Sequence, residues 1–147
     1  MILLHNGDWK TMKILIDTNV ALDYLMMREP FFKTSLEVLL LPPQKCEKFI
    51  SVKQAADIFY LTRRSGKNHA EALSLLIKLS EIMRVTSLTN EDFANAITSG
   101  ITDFEDALLA YCAKRHGIDY IITRNVKDFV NSPVSALAPD ELLNIFR

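Results

Sequence analysis

The sequence predicts one α/β domain of three layers, in which helices cover both faces of a mostly parallel sheet of four to five strands. Three observations predict it. Short apolar runs alternate with longer stretches of helical periodicity, the pattern that builds parallel sheets. A length of 147 residues suits one domain with a real core. A hydrophobic fraction of 49% is ordinary for a globular chain, and there is no repeat, low-complexity tract or linker to divide it.

The elements follow in order. Lys13-Ile14-Leu15-Ile16 is a buried strand. A helix over residues 20–27 stops at Arg28-Glu29-Pro30, because proline disfavours helix at the residue before it. Residues 32–41 form a second helix, stopped by Pro42-Pro43. Lys48-Phe49-Ile50 is a short strand. Ser51-Val52-Lys53-Gln54 is a capping box that opens a helix to Arg64, which Gly66 ends. Ala72, Leu75, Leu76 and Leu79 stripe a helix over residues 68–79. Arg84-Val85-Thr86-Ser87 is the third strand, and a helix covers residues 90–98. Thr102 and Glu105 pattern as a second capping box, on a helix that runs to His116 before Gly117. Residues 119–123 form the fourth strand, residues 134–137 a fifth, and Pro139 starts a last short helix. Met12 directly precedes the first strand. Translation from Met12 would leave residues 1–11 as a peripheral extension and residues 12–147 as the domain.

Composition excludes several classes. The apolar runs fall far short of the roughly 20 residues a membrane helix needs, so no membrane role is expected. Ile2-Leu3-Leu4 is too short for a signal peptide. Cys46 and Cys112 are too few for a disulfide framework, and two reduced thiols fit a cytoplasmic protein. There is no CxxC motif and no His/Cys cluster for zinc. His5, His69 and His116 are scattered and read as surface residues. A formal charge of −1 is compatible with an acidic pocket beside a local basic face.

The acids carry the functional signal. Asp17 ends the first strand, where open α/β sheets hold their ligands. Its structural alternative is a helix N-cap, a task Thr18 or Asn19 could do as well. Asp106 opens a later helix and shares a stripe with Ala110 and Ala113, whose small side chains let that face approach the sheet. Favourable charge at the helix N-terminus would also explain it, together with Asp103 and Glu105. Asp57 sits inside a helix, where aspartate is a poor choice without a reason. Asp128 lies just beyond Thr123-Arg124-Asn125 and could equally be a turn residue. Carboxylates from separate elements suit Mg²⁺ or Mn²⁺, which take hard oxygen ligands. Such ions activate water and stabilise the leaving group of a phosphodiester.

Ile14-Leu15-Ile16-Asp17-Thr18-Asn19-Val20, Asp106-Ala107-Leu108 and Ile122-Thr123-Arg124-Asn125-Val126-Lys127-Asp128-Phe129, in this order and spacing, resemble a PIN domain over nearly the whole chain from Met12. The resemblance implies a Rossmann-like α/β/α sandwich, a homodimer, and an acidic pocket that binds Mg²⁺ or Mn²⁺ and cleaves RNA as an endoribonuclease. It also implies the toxin of a type II toxin–antitoxin pair, similar to VapC, with a small antitoxin protein as partner. By position, Asp17, Asp57 and Asp106 match the family's first three acids, the set expected to hold the metal. The family usually has glutamate at the second, one methylene longer than Asp57. Asn125 stands where some members carry a fourth acid, and Asp128 lies three residues on. These four aspartates are the expected catalytic set, with Asn19, Asp103, Thr123 and Asn125 in support. Arg63, Arg64, Lys67, Arg124 and Lys127 are candidates for a basic rim that meets RNA phosphates.

Two other readings share some of these features. Phosphoaspartyl enzymes also place an acid at the end of a first strand. A haloacid-dehalogenase-like protein would need a second acid where Asn19 stands, and a receiver domain an acid pair and a lysine that find no counterpart here. The remaining alternative is a PIN-like module, weakly active or inactive, that binds RNA or protein.

Overall fold

The computed structural model describes residues 9–147 and the backbone of residues 2 and 3. Strand β1 (Ile2–Leu3) pairs antiparallel with β2 (Trp9–Lys10). The rest of the expected N-terminal extension lies outside the described residues.

The domain proper begins with β3 (Met12–Ile16), followed by α1 (Thr18–Leu25), α2 (Phe32–Leu39), β4 (Cys46–Ser51) and α3 (Val52–Arg64). Then come α4 (His69–Ile82), β5 (Arg84–Thr86), α5 (Asn90–Ile97), α6 (Phe104–Arg115) and β6 (Tyr120–Ile122). A single 3-10 turn (Val126–Phe129), β7 (Ala136–Leu137) and α7 (Pro139–Ile145) complete it. The five main strands form one sheet in the order β5-β4-β3-β6-β7, and every pairing in it is parallel. The α/β fold and the mostly parallel sheet predicted from the sequence are therefore what the chain adopts.

Strand alternation divides the core into two. Ile14 and Ile16 face α1, α2 and α7, with Val20, Leu39 and Leu142 among their neighbours. Leu15, Phe49 and Ile121 face the opposite way, against Ala107, Ala110 and Ala113 of α6. Ala110 and Ala113, the small residues of the predicted stripe, are fully buried, so α6 lies close on the sheet, and Ala107 is buried beside them. Truncation of Leu15 to alanine, in the middle of that contact, should cost about 2–5 kcal/mol of stability. Urea unfolding checks this. A loss under 1 kcal/mol would mean that the sheet–α6 contact is looser than drawn.

Helix ends follow local chemistry. Ser51 Oγ accepts from the Gln54 amide, and Gln54 Oε1 accepts from the Ser51 amide at 2.8 Å, which is the predicted box. Gly66 and Gly117 take positive φ values of 106° and 67° just past α3 and α6, where a side chain would strain the chain. The predicted box at Thr102 is not formed. Asp103 caps α6 instead, accepting from the Asp106 amide at 2.9 Å, and Glu105 is free for another partner. Both Thr102 and Asp103 can cap. Starting at Asp103 satisfies the first turn with the stronger, charged acceptor.

Strand β4 starts two residues before the predicted strand, because Cys46 pairs in register with Met12. Cys46 and Cys112 are both free and fully buried. Burial pushes the Cys46 thiol up to about 11, and it raises Cys112 as well.

Candidate active site

The chain leaves β3 at Asp17 under tight restraint. The Asp17 amide donates to the carbonyl of Ile122 on β6 at 2.9 Å, the last rung between the two strands. Its carboxylate is held from two sides. Oδ1 accepts from the Thr18 amide at 2.8 Å, and Oδ2 accepts from the Thr123 hydroxyl at 2.8 Å. Asp17 is thus the N-cap of α1, as its structural alternative required. Each of its oxygens still has lone-pair capacity for a further partner. Thr123 is fully buried at the end of β6, and its hydroxyl oxygen also accepts from the Asn125 amide at 3.0 Å.

A cleft of about 400 Å³ opens beside Asp17, over the C-terminal ends of the strands. Asp57 enters it from α3, Asp103, Glu105 and Asp106 from the first turn of α6, and Asn125 and Asp128 from the turn after β6. Asn19 and Tyr60 also line it. Folding therefore gathers Asp17, Asp57, Asp106 and Asp128 with Asn19, Asp103 and Asn125 in one concavity. Thr123 reaches it through Asp17.

The charges are unevenly compensated. Burial, then Asp103, Asp17, Asp128 and Glu105 in turn, push the Asp106 carboxyl up to about 6. Burial also raises Asp17, and Asp128 adds to it. The hydrogen bonds from Thr123 and Thr18 and the charge of Arg124 oppose it. Asp57 is different. Lys53 Nζ bonds to Asp57 Oδ2 one turn along α3 and to Glu105 Oε1 at 2.9 Å across the cleft. Burial alone would lower the Lys53 ammonium, but its bonds to both carboxylates hold it above its usual value. One flank of the cleft is thus partly neutralised from within, and the Asp17–Asp106–Asp128 flank carries the larger excess of negative charge.

The donors suit a hard divalent cation. They are carboxylate and amide oxygens, with no thiol or imidazole lining the cleft. Among the described residues, no three Asp, Glu, His or Cys side chains are drawn tightly enough together to hold an ion as they stand. Lys53 already engages Asp57.

The basic residues are placed less uniformly. Arg64 stacks its guanidinium 5.7 Å from the centre of the Tyr60 ring, at the cleft mouth. Arg63 and Lys127 are exposed, Lys67 is half-buried, and none of the three lines the cleft. Arg124 turns toward α1 and pairs with Asp23. Sequence reasoning missed Lys53 and Tyr60. Both were detectable, since each lies within one helical turn of Asp57. It also missed Asp23, although an aspartate inside the apolar helix over residues 20–27 is the same signal that singled out Asp57.

The family is now plain. The PIN domain family matches residues 13–127, and the chain belongs to it. Solved structures share its fold at low identity. VapBC2 from Rickettsia felis, bound to a DNA fragment from its promoter, superposes with a TM-score of 0.67 at 17% identity over 86% of this chain and 98% of that one. A toxin–antitoxin complex from Klebsiella pneumoniae gives a TM-score of 0.64 at 19% identity, covering 86% and 97%. VapC20 from Mycobacterium tuberculosis, a toxin that cleaves the sarcin–ricin loop, gives 0.59 at 19% identity, covering 74% and 86%. No curated protein matches the chain.

Proposed function

We propose that this PIN domain is a divalent-metal-dependent endoribonuclease and the toxin of a toxin–antitoxin pair, with Mg²⁺ or Mn²⁺ as cofactor. One observation carries the reading. Carboxylates from four separate elements line one cleft at the end of a parallel sheet, with raised acids on one flank. Asp17, Asp106 and Asp128, with Asn125, are the residues that would hold the ion, and Asp57 would join them by exchanging Lys53. The ion supplies an activated water and neutralises charge on the scissile phosphodiester.

The chain's own groups do the rest. Thr123 and the Thr18 amide fix the Asp17 carboxylate, so that it meets a ligand without reorganising. Lys53 places a positive charge where an RNA phosphate would approach. Tyr60 is 58% exposed and offers its ring at the mouth, where an unpaired base can stack. Stacking of that kind is worth about 1–3 kcal/mol per base. Tyr60→Ala should therefore weaken binding of a single-stranded RNA about tenfold or more, while Tyr60→Phe keeps it. Fluorescence anisotropy with a labelled oligonucleotide measures the difference, and equal affinities for all three proteins would remove Tyr60 from the binding surface.

Similarity to solved toxin–antitoxin complexes motivates an antitoxin partner, and a homodimer is what the PIN family resemblance implies. Cleavage of RNA with Mn²⁺, abolished by EDTA, tests the central claim. Metal-independent cleavage, or none with any divalent ion, would defeat it.

A PIN-like binding module with little activity is the second reading. What favours it is Asp57, shorter than the family's usual glutamate and already engaged by Lys53. Such a module would bind RNA but turn over none when loaded with Mn²⁺.

A further inference from the structure

The sequence suggests Arg124 as a rim cation for RNA phosphates, but its guanidinium is committed elsewhere. Nε lies 2.9 Å from Asp23 Oδ2, and Nη2 lies 3.4 Å from Asp23 Oδ1. The Nε approach is off-line for a hydrogen bond, so charge rather than directionality dominates it. Cζ stands 4.0 Å from the centre of the Phe31 ring, within cation–π range. Asp23 is fully buried on α1, and among the described residues its other cationic partner is Arg28, at 3.7 Å. If Arg124 left to meet a phosphate, a fully buried carboxylate would lose its nearer cation and be left with Arg28 at 3.7 Å, and breaking a buried pair is costly.

Arg124 is also the middle residue of the segment that arms the cleft. Thr123 before it donates to Asp17, and Asn125 after it both lines the cleft and donates its amide to Thr123. Past Thr123 the chain leaves the sheet, so strand pairing no longer fixes its path. Phe129 anchors the far end of the turn in the core, and the Asp23 ion pair anchors its start. That pair links the turn to the helix that Asp17 itself caps.

We propose that Arg124 is a positioning residue: its ion pair with Asp23, backed by Phe31, clamps the turn after β6 onto α1 and so holds the Thr123 hydroxyl against the Asp17 carboxylate. Arg124 is then not an RNA contact. Lysine would replace it only in part, because its ammonium keeps the charge toward Asp23 but has no flat face for Phe31. The proposal rests on the metal-dependent reading only for the use made of Asp17. The clamp itself is a statement about the metal-free protein.

Two measurements test it on the full chain. The first is amide hydrogen exchange by NMR without metal. Arg124→Met should speed exchange at the Thr18 and Asn125 amides by about tenfold or more relative to sheet amides such as those of Ile16 and Ile122. Arg124→Lys should recover that protection only in part. The second is Mn²⁺ titration, in which Arg124→Met should weaken binding by about 10–100-fold, the usual cost of losing a group that orients a ligand. If Arg124→Met fails to fold, Asp23→Leu with Arg124→Met removes both charges together and carries the same readouts. Uniform acceleration at every amide would reduce the pair to general stability and overturn the proposal. Unchanged Thr18 and Asn125 amides, with weaker RNA binding and a salt dependence shallower by about one counterion, would return Arg124 to the RNA surface. A wild-type protein that binds no Mn²⁺ would overturn the metal reading, and the exchange data would still decide the clamp.

Discussion

Asp17→Asn should abolish most cleavage and leave the fold intact. Asparagine keeps the size of the side chain and an oxygen for the Thr18 amide or the Thr123 hydroxyl, both of which now bond the carboxylate at 2.8 Å. What it removes is charge, in the cleft where a cation must be balanced. The expected loss in kcat/KM is about 100- to 1000-fold, or several kcal/mol of transition-state stabilisation. Mn²⁺ affinity should fall with it, and Tm should change little. An Asp17→Asn protein that cleaves RNA within a few-fold of wild type would show that the activity lies elsewhere.

Asp106→Asn should lose activity too, but it should gain stability. Crowding by Asp103, Asp17, Asp128 and Glu105, on top of burial, raises the Asp106 carboxyl to about 6. A carboxyl raised in the folded state binds its proton more tightly there than in the unfolded chain, whose value is near the model 3.8. Stability therefore falls as pH rises from about 4 to about 6, and the penalty is complete above that. Asparagine never carries the charge, so at pH 7 the variant should be more stable by on the order of 1 kcal/mol, a figure discounted for solvent at the cleft mouth. Chemical denaturation at pH 4 and pH 7 reads the effect directly. The wild-type loss between the two pH values should shrink in the variant and also shrink when Mn²⁺ is added. A variant less stable than wild type at pH 7 would mean that Asp106 is held by favourable contacts rather than crowded by like charge.

Much of this molecule was legible in its sequence, for a physical reason. Parallel strands buried on both faces write themselves as apolar runs, and Ile14, Leu15 and Ile16 do so without ambiguity. The Ser51–Gln54 box was legible because both partners lie within one turn. So was the α6 stripe, since Asp106, Ala110 and Ala113 repeat at helical spacing. The cleft was half legible: each acid had a suspicious position, but only folding could bring them together.

What escaped were choices between equal local options and pairings across long separations. Thr102 and Asp103 are adjacent and both competent to cap, and the backbone chose the second. Lys53 reads locally as an ordinary partner for Asp57, and its reach to Glu105, 52 residues on, is visible only in the fold. The Asp23–Arg124 pair spans 101 residues. No periodicity connects the two, so arginine beside the site looked like a surface cation.

The two sequestered sulfurs give the molecule a built-in gauge of local stability. Cys46 is enclosed in the central sheet, and its ionisation is suppressed to about 11, so the nucleophilic form needed by an alkylating reagent is scarce in the native state. Iodoacetamide should react at that site only through openings of the sheet, and because alkylation is slow beside reclosing, the labelling rate reports the free energy of opening.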